Sequence, residues 1–148
     1  PKECDRVAEW VDEAVQGGAK VLCGGEKLSE TTYAPTLLLN PPTDATISQN
    51  EVFGPVVCLY SYDHVDAAIA QANALDVSFQ AAVFTNDLGA AMHTYRNINA
   101  SAVMVNDHSA FRVDWMPFAG LKQSGHGVGG IPYTCHEMTI EKMIVIKA

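Results

Sequence analysis

An α/β fold, a parallel sheet with helices on both faces, is predicted by three observations on the sequence. From Val56 to Val105, apolar runs of strand length alternate with helical stripes in the order strand, helix, strand, helix, strand. The strand segments are continuous apolar runs, as strands covered on both faces require. The chain has 148 residues, 48% of them hydrophobic and 18% charged, which suffices for one domain with a real core and argues against disorder.

Each element has its own local reason. Val7, Trp10, Val11, Ala14 and Val15 repeat at i, i+3, i+4, i+7 and i+8, and Gly17-Gly18 stops the stripe. "KVLCG" and "YAPTLLL" follow as strands. "VVCLYSY" is the next, and Asp63 is expected to cap a helix striped by Val65, Ala68, Ile69 and Ala72. "AAVFT" is a strand, after which Asn86-Asp87 opens a helix with Leu88, Ala91, Met92 and Tyr95 on one face. "AVMVN" is the last strand of the alternating series, and helix-sized crossovers between parallel strands are right-handed. "PYTCHEM" is a short helical patch. The terminal run "IEKMIVIKA" is expected as a strand that closes an edge of its own sheet or pairs with a partner chain.

Charge and composition remove several function classes. Nine Lys and Arg against 17 Asp and Glu give a formal net charge of −8, the wrong sign for nucleic acid and for anionic lipid. No apolar run reaches membrane-spanning length. Pro1-Lys2-Glu3 lacks the features of a secretory signal, and Cys4, Cys23, Cys58 and Cys135 form no CxxC pair. Free thiols in a reducing cytoplasm are therefore expected.

Ligands of open parallel sheets bind beyond the carboxyl ends of the strands. That rule points to Asn106 and the aperiodic "NDHSAFRVDWMPFAGLKQSGHGVGG" after it, whose Phe111, Trp115 and Phe118 argue against disorder. Within it Gly125, Gly127 and Gly130 spell G-x-G-x-x-G, but no strand directly precedes them and no βαβ unit follows, so the dinucleotide reading is rejected. The histidines His64, His93, His108, His126 and His136 have no metal-ligand spacing; His136-Glu137 begins HExxH, but Ile140 stands at the fifth position. No GxSxG elbow is present. Cys58 lies in an apolar strand as inert packing. Arg112 suits a carboxylate or phosphate on a ligand, or a structural pair with Asp114.

"EVFGPV", Glu51 to Val56, is the other candidate. A carboxylate accepts hydrogen bonds from two vicinal hydroxyls, and an aromatic two residues on lies against a flat heterocycle. Spacing alone equally describes a turn with Glu51 solvated and Phe53 in the core.

Taken together these segments resemble the aldehyde dehydrogenase superfamily. "EVFGPV" resembles its E-x-F-G-P-V segment, "FQAAVFTND" its LQAxVFT strand and turn, and "VNDHSAFRVDWMPFAGLKQSGHG" its asparagine-led stretch ending P-F-G-G-x-K-x-S-G-x-G. The resemblance runs from about Arg6 to the C-terminus. It implies that Glu51 holds the nicotinamide ribose of NAD or NADP, with Phe53 beside the nicotinamide ring. It implies that Asn106, Phe111, Arg112 and Phe118 belong to the substrate pocket. It implies residues 1–138 as the C-terminal part of the catalytic domain and 139–148 as an oligomerisation strand of a homo-oligomer.

The nucleophilic Cys, the general-base Glu and most of the coenzyme domain precede E-x-F-G-P-V in the family by a long way, so this chain resembles the part after the catalytic cysteine. The implied parent reaction oxidises a small-molecule aldehyde to an acid: a thiolate attacks the aldehyde, a hydride passes to NAD(P)+, and activated water releases the product. The fragment itself is then expected to be inactive without the N-terminal part; the alternative is a self-standing oligomerisation or binding module without catalysis. Ala119 departs from the first Gly of P-F-G-G, Val128-Gly129 from a common Arg-Glu, and Ile140 from a common acid.

Overall fold

A computed structural model describes residues 1–147. The chain forms two compact units, Pro1–Asp63 and His64–Ala148, each a mixture of helix and strand.

The first unit contains α1 (Lys2–Gln16), β1 (Lys20–Cys23), β2 (Thr36–Leu39), α2 (Thr46–Gln49) and β3 (Val56–Leu59). The α1 stripe is buried over Val7, Val11 and Ala14, with Trp10 half-buried, but its last member, Val15, is exposed beside the helix end. Cys4, Val7, Val11 and Ala14 are buried, while Glu3 and Asp5 sit in the first turn where the helix dipole favours acids. β2 lies between its neighbours, antiparallel to β1 and parallel to β3, with Leu38 opposite both Val21 and Cys58. Only the second pair matches the parallel expectation. No helix intervenes between β1 and β2, and without a crossover neighbouring strands run antiparallel. Leu38 is 0% exposed and anchors a core with Val7, Val11, Ala14, Tyr33 and Ile47.

The second unit contains α3 (Val65–Asn73), β4 (Val77–Ser78), β5 (Gln80–Val83), α4 (Leu88–Asn97), β6 (Ala102–Val105), β7 (Leu121–Lys122) and α5 (Ile131–Glu137). β5 and β6 run parallel in register from Gln80↔Ala102 to Val83↔Val105, joined by α4 as the alternation predicts. Asp87 caps α4, its Oδ1 accepting from Gly89 N at 2.7 Å and Ala90 N at 3.3 Å. The expected cap of α3 is displaced: His64, not Asp63, occupies the N-cap and makes no side-chain cap bond. Asp66 in the first turn contacts His93 Nε2 on α4 at 2.5 Å.

Among the described residues the ladders form three separate sheets, β1-β2-β3, β5-β6 and the antiparallel pair β4-β7, rather than one. Residues 139–147 join no ladder, and Ile140 is 94% exposed. Ala148, the last residue of the expected terminal strand, lies outside the described residues.

Candidate functional site

The first group of site residues belongs to the Pro1–Asp63 unit. Arg6 on α1 organises it. Its Nη2 donates to the Val52 carbonyl at 2.7 Å, its Nε pairs with Glu3 at 2.7 Å, and its guanidinium lies 4.5 Å from the Trp10 ring centroid. The guanidinium holds the Glu3 carboxyl below its ordinary pKa. Gly54 sits so close to α1 that an added Cβ would fall 2.8 Å from Val7 Cγ2. The Thr36 N–H donates to the Pro55 carbonyl at 2.8 Å, which ties the segment to the start of β2.

With Val52 and Gly54 fastened, Phe53 turns outward. Its φ is +46, a left-handed backbone that costs a non-glycine residue roughly 1–2 kcal/mol. Its ring is 81% exposed, and Glu51 is exposed as well. Phe53 is therefore not core, which removes the plain-turn reading of the segment. The segment thus presents an aromatic to solvent from a backbone of unfavourable φ.

The second group belongs to the His64–Ala148 unit. Asn106 follows β6 with φ +59. Its backbone N–H donates to the Val83 carbonyl at 2.9 Å. Its Oδ1 accepts from Thr85 N at 2.8 Å and its Nδ2 donates to Thr85 O at 2.9 Å. The amide is thus spent on the frame, and Asn106 supports the stretch it begins.

Beyond it, Phe111 is exposed and its N–H donates to the His108 carbonyl at 3.2 Å. The Arg112 guanidinium stacks 4.0 Å from the Phe118 ring centroid, and Phe79 meets the same ring edge-on at 4.8 Å. No ion pair joins Arg112 to Asp114 among the described residues. Arg112 instead lines a cavity of about 360 Å³ with Asp114, Gly130, Ile131, Thr134 and Cys135. Arg112 and Phe118 are therefore brought together, while Asn106 turns its side chain to Thr85 and Phe111 is exposed.

The glycine run has a packing role. The backbones of Phe118 and Gly129 exchange two hydrogen bonds, at 3.0 and 2.7 Å, and a Cβ on Gly130 would fall 2.5 Å from the Met116 carbonyl oxygen. The missing Cβ atoms let this run approach the backbone of Met116 to Phe118 closely. Cys58 is half-buried, and burial pushes its thiol pKa up, which suits packing rather than attack.

Two supports had no signal in the sequence: Arg6 is one residue of a helix, and Thr85 acts through its backbone. Lys122 ends β7 and stands at the lysine of the P-F-G-G-x-K-x-S-G-x-G pattern, which assigned it no role. Lys122 has φ +54 and donates from Nζ to the carbonyls of Asn73, at 2.7 Å, and Leu75.

Comparison with known proteins agrees with the segments that carry these groups. The pattern of the aldehyde dehydrogenase family matches residues 1–144. A 3-sulfolactaldehyde dehydrogenase of Priestia aryabhattai is 46% identical over 145 residues, covering 98% of this chain and 30% of that protein. Aldehyde dehydrogenase 21 from Physcomitrella patens, solved with the reaction product succinate, superposes with a TM-score of 0.88 at 34% identity, covering 93% of this chain and 28% of that one. The NADP-dependent glyceraldehyde-3-phosphate dehydrogenase from Bacillus halodurans, complexed with NADP, gives a TM-score of 0.90 at 30% identity, covering 95% and 29%. The chain spans about 30% of the length of such relatives. With its E-x-F-G-P-V segment, its asparagine-led stretch and a match along nearly all of its length, the chain belongs to the aldehyde dehydrogenase family.

Proposed function

We propose that this chain is part of an NAD(P)-dependent aldehyde dehydrogenase that oxidises an aldehyde bearing an anionic group to the carboxylic acid. It supplies contacts to the coenzyme and the substrate and not the nucleophile. The observation that carries this reading is Phe53, whose ring is presented to solvent from a left-handed backbone beside the exposed Glu51.

Those two residues fit a nicotinamide coenzyme. The Glu51 carboxylate accepts from vicinal ribose hydroxyls, and the Phe53 ring offers a face to a flat heterocycle. When bound, the coenzyme supplies the hydride acceptor. The chain's own contribution is orientation: a ribose held at both hydroxyls fixes the direction of the attached ring, and small misplacement slows such reactions steeply.

Arg112 supports the substrate class. Its guanidinium lines a cavity, has no carboxylate partner among the described residues, and is oriented by stacking on Phe118. Stacking uses the face of the guanidinium and leaves its N–H edge to pair with a carboxylate, phosphate or sulfonate. The named substrates or product of the three relatives, sulfolactaldehyde, succinate and glyceraldehyde-3-phosphate, all carry such a group.

In the longer protein, residues 1–138 are read as catalytic-domain structure, with each parallel pair part of a sheet covered on both faces. Residues 139–148 are read as an oligomerisation strand of a homo-oligomer; the exposed Met143, Ile144, Val145 and Ile146 support this. Four free cysteines suit a cytoplasmic enzyme.

The test is kinetic and uses the full-length enzyme. Glu51→Gln should weaken coenzyme binding by about 1.5–3 kcal/mol, the worth of a charged hydrogen bond, and slow hydride transfer. Arg112→Met should raise KM for an anionic aldehyde and leave an uncharged one of the same length unchanged. Unaltered coenzyme affinity and hydride rate in the first variant count against the reading.

A further inference from the structure

The stretch that carries Phe111, Arg112 and Phe118 leaves the frame at Asn106 and returns at Lys122. Both residues are non-glycine and both have left-handed backbones, φ +59 and +54. Both direct their side-chain hydrogen bonds to main-chain groups of the frame. Asn106 takes the N–H and the carbonyl of Thr85, just past β5. Lys122 takes the carbonyls of Asn73 and Leu75 at the carboxyl end of α3, where the helix dipole favours a cation.

The Lys122 end is reinforced from both sides. Leu121 and Lys122 pair with Ser78 and Val77, the Gln123 N–H donates to the Asp76 carbonyl at 3.0 Å, and Ser124 Oγ accepts from Ser78 N at 2.8 Å. A Cβ on Gly120 would fall 2.5 Å from the Ser124 backbone, so the return turn is closed tightly. Between the two ends, residues 107–112 are exposed and follow no regular element.

We propose that Asn106 and Lys122 are positioning residues of the aldehyde pocket. By gripping main-chain groups of the frame at the two ends of residues 107–121, they fix where Arg112 and Phe118 stand. This rests on the aldehyde dehydrogenase reading for its functional consequence, but the clamp itself does not. Neither residue touches substrate. Each combines a strained φ with side-chain bonds to the frame, and a side chain pinned to a rigid element is what a precise pocket needs.

The experiment has two arms. In the full-length enzyme, Lys122→Met should raise KM for the aldehyde about tenfold while kcat and the coenzyme KM stay within about threefold, because a shifted Arg112 weakens substrate capture. Lys122→Arg, which can donate to the same two carbonyls, should restore most of the loss. Lys122→Gly, which relieves the backbone strain but removes the grip, should not. In the 148-residue chain, amide hydrogen exchange should accelerate about tenfold within residues 107–121 and not in β5 or β6. Asn106→Gly, which keeps the left-handed backbone and deletes both Thr85 bonds, should reproduce this exchange pattern if Lys122→Met folds poorly.

Unchanged KM together with unchanged exchange overturns the proposal. So does a uniform loosening of the whole His64–Ala148 unit, which would mark both residues as general supports. A wild-type full-length enzyme without aldehyde oxidation would instead refute the functional reading, and the exchange arm would still decide the clamp.

Discussion

β2/β3 in the first unit and β5/β6 in the second are closed by the same device and lead to opposite outcomes. Asn40 follows β2 with φ +49, donates its N–H to the Leu59 carbonyl, and accepts from Ser61 N at its Oδ1. Asn106 follows β6 with φ +59, donates to the Val83 carbonyl, and accepts from Thr85 N. In each pair the side chain reaches two residues past the end of the neighbouring strand. After Asn40, however, the chain turns inward: Pro41, Ala45 and Ile47 are buried, and the Thr46 N–H donates to Glu13 Oε1. After Asn106 it turns outward into the exposed residues 107–112. One closure thus feeds a core and the other an exposed stretch. The difference lies in the residues that follow and not in the closure itself.

The cores differ in the same sense. The first unit buries nine residues in one cluster, including Leu38 and Val11. The described buried residues of the second are Ile69, Ala91, Met104 and Thr94. The sharpest way to break this contrast is a matched truncation. Leu38→Ala should cost about 3–5 kcal/mol and Met104→Ala about 2 kcal/mol, since the first leaves a cavity in a closed cluster. Amide exchange in β2 and β6 would measure each loss, and equal costs would erase the contrast.

A finer test addresses the closures. Asn40→Gly and Asn106→Gly keep the left-handed backbone and remove exposed side-chain hydrogen bonds, so each should lower local stability by about 1 kcal/mol. A much larger loss at either site would show that the two closures are not equivalent.

The smallest expected effect is a titration. Burial pushes the Tyr33, Tyr60 and Cys58 groups above their ordinary pKa values, and all three lie in the first unit. These acids hold their protons more tightly when folded. Their stabilisation is therefore intact below the unfolded pKa values and declines as pH rises through the window between roughly 8.5 and 10 and above. In a Trp115→Phe variant, Trp10 fluorescence should report a lower urea midpoint at pH 10.5 than at pH 8. A midpoint that holds or rises would contradict the sign.

Much of this organisation was legible in the residues. A 3.6-residue stripe marks where α1, α3 and α4 run, but only on α1 is most of it buried; of the stripe on α3 only Ile69 is buried, and on α4 Leu88, Met92 and Tyr95 are exposed beside the buried Ala91. Asp87 announces its helix because a carboxylate satisfies free N–H groups there. The candidate sites were legible as residue types, an acid and an aromatic before a strand and an asparagine at a strand end, and the structure places these residues where the strands end or begin. What a sequence hides is whatever works without a period. α2, β4 and β7 are two to four residues long. The antiparallel course of β1 against β2 depends on a connection that contains no helix. The exposure of Phe53 was hidden for a related reason: it arises from neighbours, Arg6 and Val7, that lie some 46 positions away in the chain.

Arg6 makes the first two turns of α1 and the outward-facing phenylalanine one mechanical piece. The tilt of that ring is inherited from a helix that never meets a ligand through it. On the proposed reading, substitutions at Trp10, or trimming of the residues ahead of Arg6, would accordingly surface as a change in coenzyme binding. Anyone shortening this segment for expression should keep its opening residues, which hold Phe53 in place.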